Sequence, residues 1–187
     1  GRGRGSDAYI PRTRLDARGL TVGAVAGVGL DVALGLKILL AGLAFGLTAI
    51  VFSELVHGLK HVFARAVVWP PLRPFLGGVA VVALTYAVGT RDYLGLSIPL
   101  ITESFDPVVT VALFAFAWKL LFTVITLGAG FQGGEVTPLF VIGATLGASL
   151  GHALDAPVPL FAAMGFVAVF AGATNTPIAC TVMGVEL

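Results

Sequence analysis

Apolar runs follow one another along this chain with few charges between them, and that pattern restricts its fold more than any single motif. Residues 74–90 (PFLGGVAVVALTYAVGT) hold no charge, and residues 107–127 hold only Lys119. Runs of that length must be buried in a large core or lie in hydrocarbon. Composition decides between the two. Hydrophobic residues make up 57% of the chain and charged residues 11%, with a mean hydropathy of +0.99. A soluble domain is roughly 45–50% apolar and roughly 25% charged. The chain is therefore expected to be an all-α membrane protein. At about 20 residues per crossing its length allows roughly six to eight segments.

The polar parts are few. Net charge is +1, which leaves no nucleic-acid footprint. Arg2, Arg4, Arg12, Arg14 and Arg18 crowd a Gly/Arg-rich start broken by Pro11. This reads as a juxtamembrane loop, cytoplasmic by the positive-inside tendency, with lipid-headgroup contact as the alternative. Cys180 is the single cysteine and sits in an apolar run. It is expected to be a small buried residue, with neither a disulfide partner nor a metal set. The chain opens on Gly1 without a signal-peptide layout and ends on Leu187 inside an apolar segment. The expectation is a piece of a larger protein, truncated at both ends.

Residues 1–36 form a first region, a polar loop followed by a glycine-rich apolar stretch interrupted by Asp31 and only weakly helical. From residue 37 the pattern is a membrane domain. A long helix is predicted over 37–68, apolar first and amphipathic later, stopped by Pro70 and Pro71. Further helices are predicted over 74–90, near 98–105, over 107–127 behind the Asp106–Pro107 start signal, from Val136 to about Leu154, over 157–172, and from Pro177 onward. Several are too short to cross about 30 Å of hydrocarbon. Short helices separated by glycines suggest broken helices meeting inside the membrane, which is tolerated where they line a cavity.

One such break has the composition of an anion site. Residues 128–138 read GAGFQGGEVTP between two apolar helices. Gly128, Gly130, Gly133 and Gly134 free the backbone to turn and to approach a ligand. Pro138 suits the first turn of the next helix, whose unpaired amides and positive dipole end attract an anion. Glu135 is a carboxylate at membrane depth and so a functional candidate. Burial there would favour its protonated form, able to donate to an anion or to carry a proton. Thr137 adds a hydroxyl donor. The alternative is that Glu135 and Thr137 only cap the helix.

The stretch GAGFQGGEVTPLFVIGATLG (128–147) resembles the GxFxP-type signature of the CLC family of chloride channels and anion/proton antiporters. The form GGEVTP is most similar to the fluoride/proton antiporter branch, since chloride-selective members usually have apolar residues there. ATNTPIACTVMGVEL (173–187) resembles a later helix of that family, including Glu186 near its end, and Lys119 matches a basic position common in it. The resemblance runs over residues 37–187 and is specific at 128–147.

It implies a homodimer of independent helical pores, each subunit built of two inverted halves, with this chain as much of the second half. It implies that Gly134, Glu135, Val136 and Thr137 line the anion site, and that Glu135 takes part in ion or proton handling. The ions implied are fluoride or chloride together with protons, in a prokaryotic inner membrane, with no cofactor. The family's gating glutamate and first-half serine would lie upstream and its last-helix tyrosine downstream. This chain alone is then not expected to transport.

Other polar residues are weaker candidates. Glu54, His57 and His61 share a helix face, which reads as a solvated surface rather than a metal site. The order is not HExxH. Lys119 reads as snorkelling or ion-paired rather than in the ion path. Phe131 and Phe140 could flank a pathway, with lipid or core packing as the default. Asp31 and Glu103 suit interfaces, and Glu186 suits helix packing. An intramembrane hydrolase would need a nucleophile–base pair or metal set that these residues do not supply. A passive scaffold would leave the Gly–Glu–Thr–Pro stretch unexplained.

Overall fold

Backbone amides and carbonyls find no water in hydrocarbon, so a chain this apolar must satisfy them within helices. The computed structural model describes residues 32–106 and 114–186, and among them the regular structure is entirely helical. In chain order the helices are α1 (Val32–Ala66), α2 (Leu72–Val88), α3 (Ile98–Ser104), α4 (Ala115–Gly128), α5 (Val136–Ala153), α6 (Val158–Thr174) and α7 (Pro177–Glu186). The Arg-rich start, the stretch 20–31 with Asp31, and residues 107–113, the first part of the helix predicted behind Asp106, lie outside the described residues.

Most boundaries sit where Pro and Gly place them. Pro70 and Pro71 follow the end of α1, and Gly89 closes α2 at φ 76° with its amide on Thr85 O. The first helix starts at Val32, earlier than the predicted residue 37. Gly35 does not delay it, because outside water an open helical turn has nothing else to bond to. Among the described residues, α1 and α5 are long and apolar enough to cross a membrane; α2, α4, α6 and α7 are apolar but have only 10–17 residues.

Helix α5 is the centre of the structure. Every residue from Val141 to Ser149 is buried. It lies antiparallel to α6 along a line of small residues: Gly143 faces Gly165, Gly147 faces Phe161, and Gly151 faces Val158. A Cβ at Gly143 or Gly147 would overlap the carbonyl oxygen of Gly165 or Phe161, so the two backbones touch. Helix α1 lies across α6, with Ala49 against Gly172 and Phe45 against Gly165, and across α4, with Leu59 against Gly128. Helix α2 joins through Gly77, whose missing side chain admits Ala129. The hydroxyls of Thr123, Thr145 and Ser149 bond carbonyls one turn back, which removes polar cost from buried faces.

The outer face of α1 shows the opposite character. Leu36, Leu39, Leu43, Leu47 and Ile50 are each 61–63% exposed. Such a stripe on a long helix suits hydrocarbon rather than water.

Lys119 is neither snorkelled nor ion-paired, contrary to expectation. It is 2% exposed, and its Nζ donates to Tyr93 O at 3.0 Å, Gly95 O at 2.7 Å and Ser97 Oγ at 2.8 Å. All three ammonium donors therefore fasten the turn between α2 and α3 onto α4. That turn holds three left-handed residues, Gly89, Gly95 and the non-glycine Ser97. Lys119→Met is expected to cost about 2–4 kcal/mol, since each bond to a charged donor is worth roughly 1.5–3 kcal/mol. A lowered melting temperature in detergent, with faster tryptic cutting at Arg91, would report it. Unchanged cutting would mean the turn is held by other contacts.

Candidate anion site

Helix α4 ends at the stretch singled out in the sequence. Gly130 turns the chain at φ 92°, with its amide on Leu127 O and the Phe131 amide on Thr126 O. This is a Schellman stop, and the left-handed residue it needs explains a glycine there. Phe131 then leans over α2, its ring 3.4 Å from the Cβ position of Gly77 and 3.7 Å from that of Gly78. Gly128 is buried because a Cβ would come within 2.6 Å of Leu59. The glycines at 77, 78 and 128 thus seat the loop close to α1 and α2.

Beyond Phe131 the chain crosses Gln132, Gly133 and Gly134 in the open, and no atom lies within 4 Å of a Cβ added at either glycine. Helix α5 begins at Val136 with Glu135 in the N-cap position at φ −81°, ψ −17°. Its first turn closes when the Leu139 amide bonds Glu135 O at 3.3 Å. The amides of Val136 and Thr137 lie ahead of that bond, and Pro138 has none to satisfy. Two amides at the positive end of an 18-residue helix therefore face the loop.

The side chains there are unengaged. Glu135 makes no capping bond, and neither its carboxyl nor the Thr137 hydroxyl has a hydrogen-bond partner among the described residues. Capping alone therefore does not account for them. Val136 is 45% exposed, Glu135 is exposed, and Thr137 and Pro138 are half-buried. The expected burial of Glu135 is not provided by these helices, because the loop projects past the α4–α5 packing rather than into it. The structure thus gathers Gly130, Gly133, Gly134, Glu135, Val136 and Thr137 on one open lip, with Gly128 and Pro138 anchoring its two sides.

Other candidates fall elsewhere. Phe140 stacks on Phe166 at 4.1 Å and tilts against Phe170 at 4.9 Å, a packing role. Glu54, His57 and His61 are exposed on α1, with His57 Nδ1 beside Ser53 O. Glu103 and Glu186 are exposed and Cys180 is buried. The glycine line on α5 was not read from the sequence, although its spacing of four residues is the signal for close helix approach.

A family model described as voltage gated chloride channel matches residues 18–187. The chain belongs to that family, the CLC family. Among CLC relatives it is 45% identical over 158 residues to a chloride/fluoride channel protein of Pseudomonas syringae pv. tomato, covering 81% of this chain and 34% of that protein. It is 31% identical over 162 residues to an H(+)/Cl(-) exchange transporter ClcA of Cronobacter sakazakii, covering 80% and 34%. The helices also superpose on the crystal structure of a CLC-type fluoride/proton antiporter with a TM-score of 0.79 and 36% identity, covering 84% of this chain and 40% of that one. The chain spans about a third of the length of these curated relatives. The CLC fold is thus present here as a set of membrane helices, and its members are transporters and channels.

Proposed function

We propose that the protein carries fluoride across the membrane in exchange for protons, with the anion held at the start of α5. The observation that carries this is a pair of groups unengaged among the described residues, the Glu135 carboxyl and the Thr137 hydroxyl, beside two helix-terminal amides that no described residue satisfies. Fluoride is small and strongly hydrated, so a site must replace its water with strong donors. A hydroxyl and amides at a helix N-terminus, with a carboxyl beside them that can take up a proton, meet that need better than apolar side chains would. The same carboxyl, once the proton leaves, supplies the counter-ion of an exchange. Gly134 to Thr137 line the site, and Glu135 handles the proton. The working unit is a homodimer in a prokaryotic inner membrane, and residues from elsewhere in the protein close the pore.

Chloride transport, by channel or exchanger, is the second reading, favoured by the 31% identity to an H(+)/Cl(-) exchange transporter. The two separate in liposomes loaded with fluoride or chloride and containing the intact protein. Fluoride efflux at least about tenfold faster than chloride, with proton uptake, is expected; about 1.4 kcal/mol of preference gives that ratio. Chloride efflux equal to or faster than fluoride would replace fluoride with chloride in this reading.

A further inference from the structure

The corner where α1 turns into α2 carries charge that the anion site does not use. From Leu55 to Thr90 there is no Asp or Glu, while Lys60, Arg65 and Arg73 stand in that span. Arg73 closes the corner itself, with Nε donating to Val67 O at 3.0 Å and Nη2 to Ala64 O at 3.4 Å. It caps the carbonyl end of α1. Lys60 and Arg65 are exposed and donate to nothing among the described residues. The other end of α2 lies about 25 Å away along the helix axis. There the sign reverses: residues 91–106 set Arg91 against Asp92, Glu103 and Asp106. In a membrane helix this asymmetry places the cationic end at the cytoplasmic leaflet, where the anionic lipids are.

Apolar surface adjoins the cations. Trp69 is 67% exposed and Val68 89% exposed at the tip of the corner. An indole in that position is an interfacial anchor. Directly after Arg73 a groove of about 660 Å³ opens along α2, walled by Pro74, Phe75, Val79, Val82 and Ala83, with Phe131 as its far wall.

We propose that this corner holds an anionic phospholipid, its headgroup phosphate on Lys60 and Arg65 and an acyl chain along the α2 groove. Cations without a partner among the described residues, linked through Arg73 to a groove with no polar side chain in its wall, match an amphiphile and do not match a soluble anion or an acidic peptide. Arg73 joins the two parts, since its hydrogen bonds tie the groove's first residues to the last turn of α1. Phe131 follows Gly130 in the candidate anion loop, so the bound chain rests against that loop. The inference needs only a membrane protein of this fold and is independent of which halide moves.

The test uses the intact protein in mixed micelles containing phosphatidylglycerol or phosphatidylcholine, with bound lipid counted by native mass spectrometry. The wild-type protein is expected to retain phosphatidylglycerol about tenfold over phosphatidylcholine. The double variant Lys60→Gln, Arg65→Gln should lose that preference, and Val82→Trp should lower retention of both lipids by filling the groove. Ala83→Leu serves the same purpose if the tryptophan variant does not fold. Equal retention of both lipids by the wild type, or an unchanged preference in the double variant, overturns the headgroup site. Unchanged retention in the groove variants means that another part of the protein fills the groove, and it overturns the proposal as well.

Discussion

Replacing Gly147 by alanine is expected to cost the fold about 2–3 kcal/mol, in the range of overpacked interiors. On an open helix face the same change gains about 1 kcal/mol, so the sign is set by packing rather than propensity. The reason is the line of contact between α5 and α6. A methyl group at Gly147 would overlap the Phe161 carbonyl oxygen and come within 2.8 Å of Ala162 Cα. Those atoms are backbone in a buried helix, so they yield only if the two helices part along their length. Parting them would uncover Leu139, Ile142 and Phe161, each at most 1% exposed. Thermal unfolding of the purified protein in detergent reads the effect. Gly46→Ala is the comparison, since a Cβ there meets nothing within 4 Å. Gly147→Ala should lower the melting temperature by several degrees and Gly46→Ala should not. Equal behaviour of the two variants would show that the helices tolerate separation.

Much of the architecture was legible in the chain because its punctuation is strong. Pro70–Pro71, Gly89, Gly130 and Asn175 each mark a helix end through a fixed φ or a left-handed turn, and helices end beside all of them. The candidate loop was legible for the same reason, since four glycines with Glu, Thr and Pro between two apolar helices have few other uses. Three things were not. The start of α1 lies in a glycine-rich stretch where propensity argues against helix and only the absence of water argues for it. Lys119 finds its acceptors 22–26 residues back in the chain, and two of them are carbonyls, which every residue carries. The exposure of Glu135 depends on how far the loop projects beyond α4 and α5, a tertiary quantity with no local signature. The α5 glycine line was present in the sequence and became meaningful only once α6 was seen against it.

The second large effect is expected at the lip itself. Glu135→Gln keeps the size and a donor group but can neither lose nor gain a proton near neutral pH. It should uncouple anion movement from protons and slow the exchange. Thr137→Ala removes the hydroxyl and leaves the two amides in place, so it should weaken fluoride more than chloride. A hydrogen bond to a charged partner is worth about 1.5–3 kcal/mol, or roughly ten- to a hundredfold in flux if it is lost in the rate-limiting state. Neither side chain bonds anything within the described residues, so neither substitution should lower the melting temperature. That separates a transport defect from a folding defect. The most direct measurement is therefore fluoride and chloride efflux from liposomes holding the intact protein as wild type, Glu135→Gln or Thr137→Ala. An anion site at the start of α5 predicts fluoride efflux reduced at least about tenfold in both variants, with loss of proton coupling in the first and loss of fluoride preference in the second. Unchanged fluoride flux and selectivity in both would contradict it.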